Sequence, residues 1–99
     1  MLKLEPIQQD GCLVFPLPQN GYLESFTLRI EGYACFFVQL YLNGTIHSQQ
    51  NKVTNKTHTL YLPIDTWLYD EPLQLTGNSV EYRVYTSFPC QITAFASIL

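Results

Sequence analysis

Tyr33-Ala34-Cys35-Phe36-Phe37-Val38-Gln39-Leu40-Tyr41-Leu42, then Asn43-Gly44, then Thr45-Ile46-His47-Ser48 is the stretch whose reading decides the fold. Ala34, Phe36, Val38, Leu40 and Leu42 recur at period two, which places them on one face of a strand. Cys35, Phe37 and Tyr41 make the second face mostly apolar as well, the pattern of a strand inside a sheet with both faces covered. Asn-Gly is the strongest short-range signal for a two-residue hairpin, because both central positions need positive φ. Residues 45–48 therefore fold back on 33–42.

The same punctuation recurs along the chain. Asp10-Gly11, Asn20-Gly21, Glu31-Gly32 and Gly77-Asn78 are the remaining glycine sites, and each reads as a strand reversal. Between them, residues 2–7 and 12–16 are short extended pieces. Pro16 and Pro18 place the second of these at an edge or a strand end. Residues 22–31 alternate cleanly, with Phe26, Leu28 and Ile30 opposed to Ser25, Thr27, Arg29 and Glu31, a half-exposed antiparallel strand. Residues 49–56 are polar and unpatterned and read as a loop between sheets. Residues 57–62 resume as a strand, 63–72 as a structured connection, 73–76 and 80–86 as a pair across Gly77-Asn78, and 90–99 as a closing apolar strand. About eight short strands with no amphipathic helical period predict a single all-β domain over residues 1–99. Its form is an antiparallel two-sheet β-sandwich of jelly-roll or Greek-key-like connectivity, with an up-and-down barrel as the alternative. An immunoglobulin pattern does not fit, since Trp67 lies far beyond Cys35 and Phe88, not Tyr, stands two before Cys90.

Ninety-nine residues suffice for one core, with roughly 65% of the extended chain's surface hidden on folding. Only 13% of residues are charged, against about 25% in an ordinary soluble domain. Ser, Thr, Asn and Gln number 27 and take the place of the missing charge. Charge is expensive to desolvate, so a surface of neutral polar and aromatic groups suits packing against neighbours. The composition points to assembly, with copies of itself and with other proteins. Tyr61, Trp67, Tyr69 and Tyr85 are the expected contacts, because Tyr and Trp combine large rigid area with a polar tip.

Other functions are disfavoured by what the residues lack. Lys3, Arg29, Lys52, Lys56 and Arg83 are scattered in a chain of net charge −3, which is no footprint for nucleic acid. No stretch approaches the roughly 20 apolar residues of a membrane helix, and Glu5, Gln8, Gln9 and Asp10 interrupt any signal-peptide run, so a soluble protein is expected. Cys12, Cys35 and Cys90 are read as reduced thiols, although a bridge between Cys35 and Cys90 is conceivable. No metal-ligand spacing occurs, Asp65, Asp70 and Glu71 match no calcium loop, and no metal or cofactor is expected. His47 and His58 have no nucleophile signature beside them, so no enzyme is expected. The sequons at Asn43 and Asn55 are short and common by chance in such a composition. The segment Ile64-Asp65-Thr66-Trp67-Leu68-Tyr69-Asp70-Glu71 interleaves aromatics and carboxylates. A glycan site built on Trp67 is therefore the alternative to a plug or subunit contact there.

With Met1 retained, an apolar end at Ile98-Leu99, sparse Lys and a short-stranded all-β pattern, the chain resembles the small virion structural proteins of tailed phages, of head-decoration, fibre-base or tail-tip type. That resemblance implies a structural subunit located in a virion. A carbohydrate-binding module is the alternative.

Overall fold

The computed structural model of the chain describes residues 2–31, 34–54, 58–62, 72–86 and 91–99; of these, 34, 35, 50–54 and 58–62 are described through their backbone alone. Ten strands appear among them: β1 (Leu2–Leu4), β2 (Ile7–Gln9), β3 (Cys12–Pro16), β4 (Tyr22–Glu31), β5 (Ala34–Leu42), β6 (Thr45–Thr54), β7 (His58–Leu62), β8 (Leu73–Gln74), β9 (Val80–Thr86) and β10 (Gln91–Ile98). No helix occurs among the described residues. Sheet I has the order β1-β10-β4-β7, with β8 pairing the same edge of β4 beyond β7. Sheet II has the order β2-β3-β9-β5-β6, and every pairing in both sheets is antiparallel. The pairs β1 with β10, β3 with β9, β4 with β7 and β5 with β6 nest inside one another. This is the connectivity of a jelly roll, two Greek keys wound together.

The two sheets bury their facing sides against each other. Leu28, Ile30, Ala94 and Ala96 of sheet I meet Phe36, Val38, Leu40, Val80 and Val84 of sheet II in one continuous core. Phe26 and Tyr82 stack across the layers with ring centroids 3.7 Å apart, and Phe15 meets Phe26 edge-on at 6.4 Å. Such ring pairs add about 0.5–1.5 kcal/mol beyond the area they bury.

Several local expectations are corrected. Residues 2–7 form two strands in different sheets, parted at Glu5-Pro6, where the missing proline N–H interrupts pairing and lets the chain switch layers. The polar stretch 49–56 is no loop over most of its length: β6 runs to Thr54 and pairs all of β5. An edge strand has neighbours on one side only and needs no apolar alternation, so its sequence looked unstructured. Residues 73–76 do not pair with 80–86. β8 joins β4 in sheet I and β9 lies in sheet II, so Gly77-Asn78 is a corner between layers.

Asn43-Gly44 does form the tight hairpin between β5 and β6, with φ of 51° and 81°. The Asn43 N–H donates to the Ser79 carbonyl at 2.7 Å, and its side-chain oxygen accepts from the Ser79 N–H at 2.8 Å. One residue thus shapes the hairpin and docks it on the corner that leads into β9. Gly21 is a different case, with φ of 89° and a virtual Cβ only 2.5 Å from the Leu99 carbonyl oxygen. Only glycine lets Tyr22 and Leu99 exchange both backbone hydrogen bonds there, at 3.0 and 2.8 Å.

Candidate functional site

Side chains alternate across a strand, so each sheet of the sandwich presents one face to the core and one outward. Residues contributed to the outward face of sheet II stand in cross-strand rows. Ile7, Val14, Arg83, Gln39 and Gln49 form one row across all five strands. Pro16, Glu81, Tyr41 and Ile46 form the next. Tyr85, Phe37 and Asn51 form a third, on the Cys12 side of the first. A register shift between Leu40 and Tyr41 bulges His47 out of β6 and returns Ile46 to this face.

The groups on this face are organised among themselves. Arg83 Nε donates to Glu81 Oε2 at 2.7 Å, which neutralises the only two charges in the rows. The guanidinium carbon lies 3.9 Å over the centroid of the Tyr41 ring, a cation–π contact. Tyr41 Oη in turn donates to Gln39 Oε1 at 3.1 Å. Phe37 and Tyr85 meet at 5.9 Å between centroids. The hydrogen bond that Arg83 donates to Glu81 raises the Arg83 pKa above its ordinary value, so the cation is fixed at any physiological pH. Burial pushes the Tyr85 phenol up, and Cys12 adds to that shift while Arg83 opposes it.

Beneath these groups the face is dry. Val14 is 2% exposed, Cys12 7% and Gln39 8%, although Val14 and Cys12 belong to no part of the core between the sheets. At its two edges the face instead carries large exposed apolar side chains, Ile7 at 50% and Ile46 at 46%. The outward face of sheet I is of another kind. Its rows hold Lys3, Phe95 and Thr27, then Thr93 and Arg29, then Gln91 and Glu31, with an exposed Arg29–Glu31 ion pair at 3.0 Å and Glu24 accepting from Ser97 Oγ at 3.0 Å. The charged groups there meet solvent, whereas Thr27 is buried.

Of the four expected contact residues, Tyr85 stands on the sheet II face. Tyr61 lies in β7 of sheet I, opposite Thr27 in register. Trp67 and Tyr69 lie outside the described residues, as do Asp65, Asp70, Glu71 and Cys90. The structure therefore brings Tyr85 together with Phe37, Tyr41, Arg83 and Glu81, which the sequence did not single out as a group. Cys12 is a buried free thiol. A cavity of about 250 Å³ opens near the β2–β3 turn, lined by Gln8, Gly11, Cys12, Leu13, Val84, Thr86 and Ile92. Apart from the Cys12 thiol, this lining offers no ionisable group. Among the described residues no three His, Cys, Asp or Glu side chains converge as a metal site, and no helix is long and apolar enough to cross a membrane.

Comparison with family models, with curated proteins and with solved structures finds no match to this chain.

Proposed function

We propose that the chain is a non-enzymatic structural subunit of a larger assembly, a virus particle in which it serves as a capsid-decoration, fibre-base or tail component. The outer face of sheet II is its contact surface, shared with copies of itself and with other proteins of the particle. One observation carries this reading: an outward sheet face whose charges cancel internally, whose Val14 and Cys12 are already dry, and whose rim exposes Ile7 and Ile46. A surface of this kind loses little hydration on docking, and aromatic and amide groups supply area and hydrogen bonds. Jelly rolls occur in capsid and lectin domains alike, so the fold agrees with the proposal as an analogy, and the surface chemistry carries the argument.

The experiment is co-sedimentation of the purified chain with a candidate particle, in parallel with a glycan titration followed by Trp67 fluorescence. Particle binding that Ile46→Lys weakens and Arg29→Glu leaves intact supports the subunit reading. A saturable fluorescence shift with sugar and no particle binding would replace it with the carbohydrate-binding alternative. The Tyr41 ring already carries a guanidinium on one face, which removes that face from sugar stacking.

A further inference from the structure

We infer that the outer face of sheet II binds a second copy of the same chain face to face, about a two-fold axis that lies in the plane of contact between the two copies, perpendicular to the strands, and passes over residue 82 of β9. This inference rests on the subunit reading above and specifies its geometry. β9 is the middle strand of the five, and Tyr82 points into the core, so the axis passes over bare backbone at the centre of the face. Residues 81 and 83 flank that point on the outer side. Rotation about the axis exchanges them, bringing Arg83 of each copy over Glu81 of the other. An internally neutral pair thereby becomes a self-complementary one, as an isologous contact requires.

The neighbouring positions agree. The same rotation exchanges the two rows described above, laying the exposed Gln49 over the second copy's exposed Ile46, while Val14 and Gln39, already buried within each copy, form the floor beneath the contact. The Tyr41 hydroxyl already donates to Gln39 within one chain, so it needs no partner across the contact. No row brings like charges together. The size is also adequate. Five strands about 4.8 Å apart, with central strands about 24 Å long, present about 500 Å² in projection. The accessible area of a corrugated face is larger than its projection and comes within reach of the ~800 Å² per partner of a standard interface.

The test is sedimentation of two single variants, Glu81→Arg and Arg83→Glu, alone and mixed. In each variant alone, two like charges on one copy face two like charges on the other, and self-association is expected to weaken at least about tenfold. In the mixture, an all-basic pair meets an all-acidic pair, and a heterodimer forms. Circular dichroism confirms folding of each variant. Should either fail to fold, Ile46→Lys takes its place, since that side chain is exposed and tolerates substitution; loss of self-association supports the inference and its retention overturns it. Wild-type dimers that survive in both charge variants place the contact elsewhere and overturn it. Variants that each lose association and do not recombine when mixed overturn the two-fold register. A wild-type chain that is monomeric yet binds a particle overturns the inference and leaves the subunit reading standing; one that does neither overturns both.

Discussion

The two outward faces of the sandwich are built on equal frameworks, five antiparallel strands each, and differ in what they ask of their surroundings. Sheet I turns Lys3, Glu24, Arg29 and Glu31 outward with Ser and Thr between them. Sheet II turns out Val14, Phe37, Tyr41 and Tyr85, with a single cancelled charge pair at its centre. Val14 on the outside of sheet II is as dry as Val38 in the core, and Cys12 and Gln39 are buried beside it, whereas on sheet I Thr27 is buried and the charged groups stay exposed. A face can thus be half-way to an interior before any partner arrives. The energy left to gain on association then comes from rings and amides rather than from ion pairs.

This contrast can be broken by placing the same kind of change at different depths. The largest effect is expected in the core: Val38→Asp leaves an unpaired carboxylate between the sheets and should abolish folding, seen as loss of the β-sheet circular dichroism signal. A folded variant of unchanged thermal stability would overturn the strand assignment. Next comes Val14→Ala on the outside of sheet II. Because that side chain is buried, its truncation should cost about 1–2 kcal/mol in denaturant unfolding, as at a core site, whereas a cost near zero would mean the face is ordinary surface. On sheet I the Thr27 hydroxyl is buried with no hydrogen-bond partner among the described residues. Thr27→Val should therefore stabilise by about 1 kcal/mol, read as a rise in Tm.

Alkaline titration sharpens the contrast further. The Tyr85 pKa is raised in the folded chain by burial, so its contribution to stability is present below the ordinary tyrosine value near 10 and is lost as pH rises through the folded value. Tyr85→Phe should flatten the decline in Tm above about pH 10 and leave the neutral-pH profile unchanged. The smallest effect belongs to the charged face. Arg29→Glu removes an exposed ion pair and should change stability by no more than about 0.5 kcal/mol and association not at all.

Much of the fold was legible because local rules and global packing agreed. The alternation of Phe26, Leu28 and Ile30 placed β4 correctly, and all three are fully buried. The Phe36, Val38 and Leu40 face of β5 did the same, and Asn43-Gly44 marked the hairpin. The misreadings arose where one local pattern serves two structures. Positive φ at Gly21 and Gly77 is needed by corners between layers as much as by hairpins, and a polar edge strand such as β6 reads like a loop. The site was less legible. Tyr85 could be proposed as a lone aromatic, but its relation to Phe37, and that of Arg83 to Tyr41, joins strands more than forty residues apart. Their adjacency exists only through the β5–β9 register, which no short stretch of sequence encodes. The apolar second face of β5 was expected to be covered; it is an outward face instead, where Phe37, Tyr41 and Tyr85 are half-buried and shelter one another.

Whether the outer face of sheet II is a contact surface is decided by sedimentation of the wild-type chain across protein concentration, in about 0.1 M and about 1 M salt, with any candidate particle present. The expected result is a mass that rises above the 11.4 kDa monomer or a chain that co-sediments with the particle, changing little with salt because the face is mainly apolar and amide. A chain that stays at 11.4 kDa at every concentration and binds no particle at either salt would contradict it.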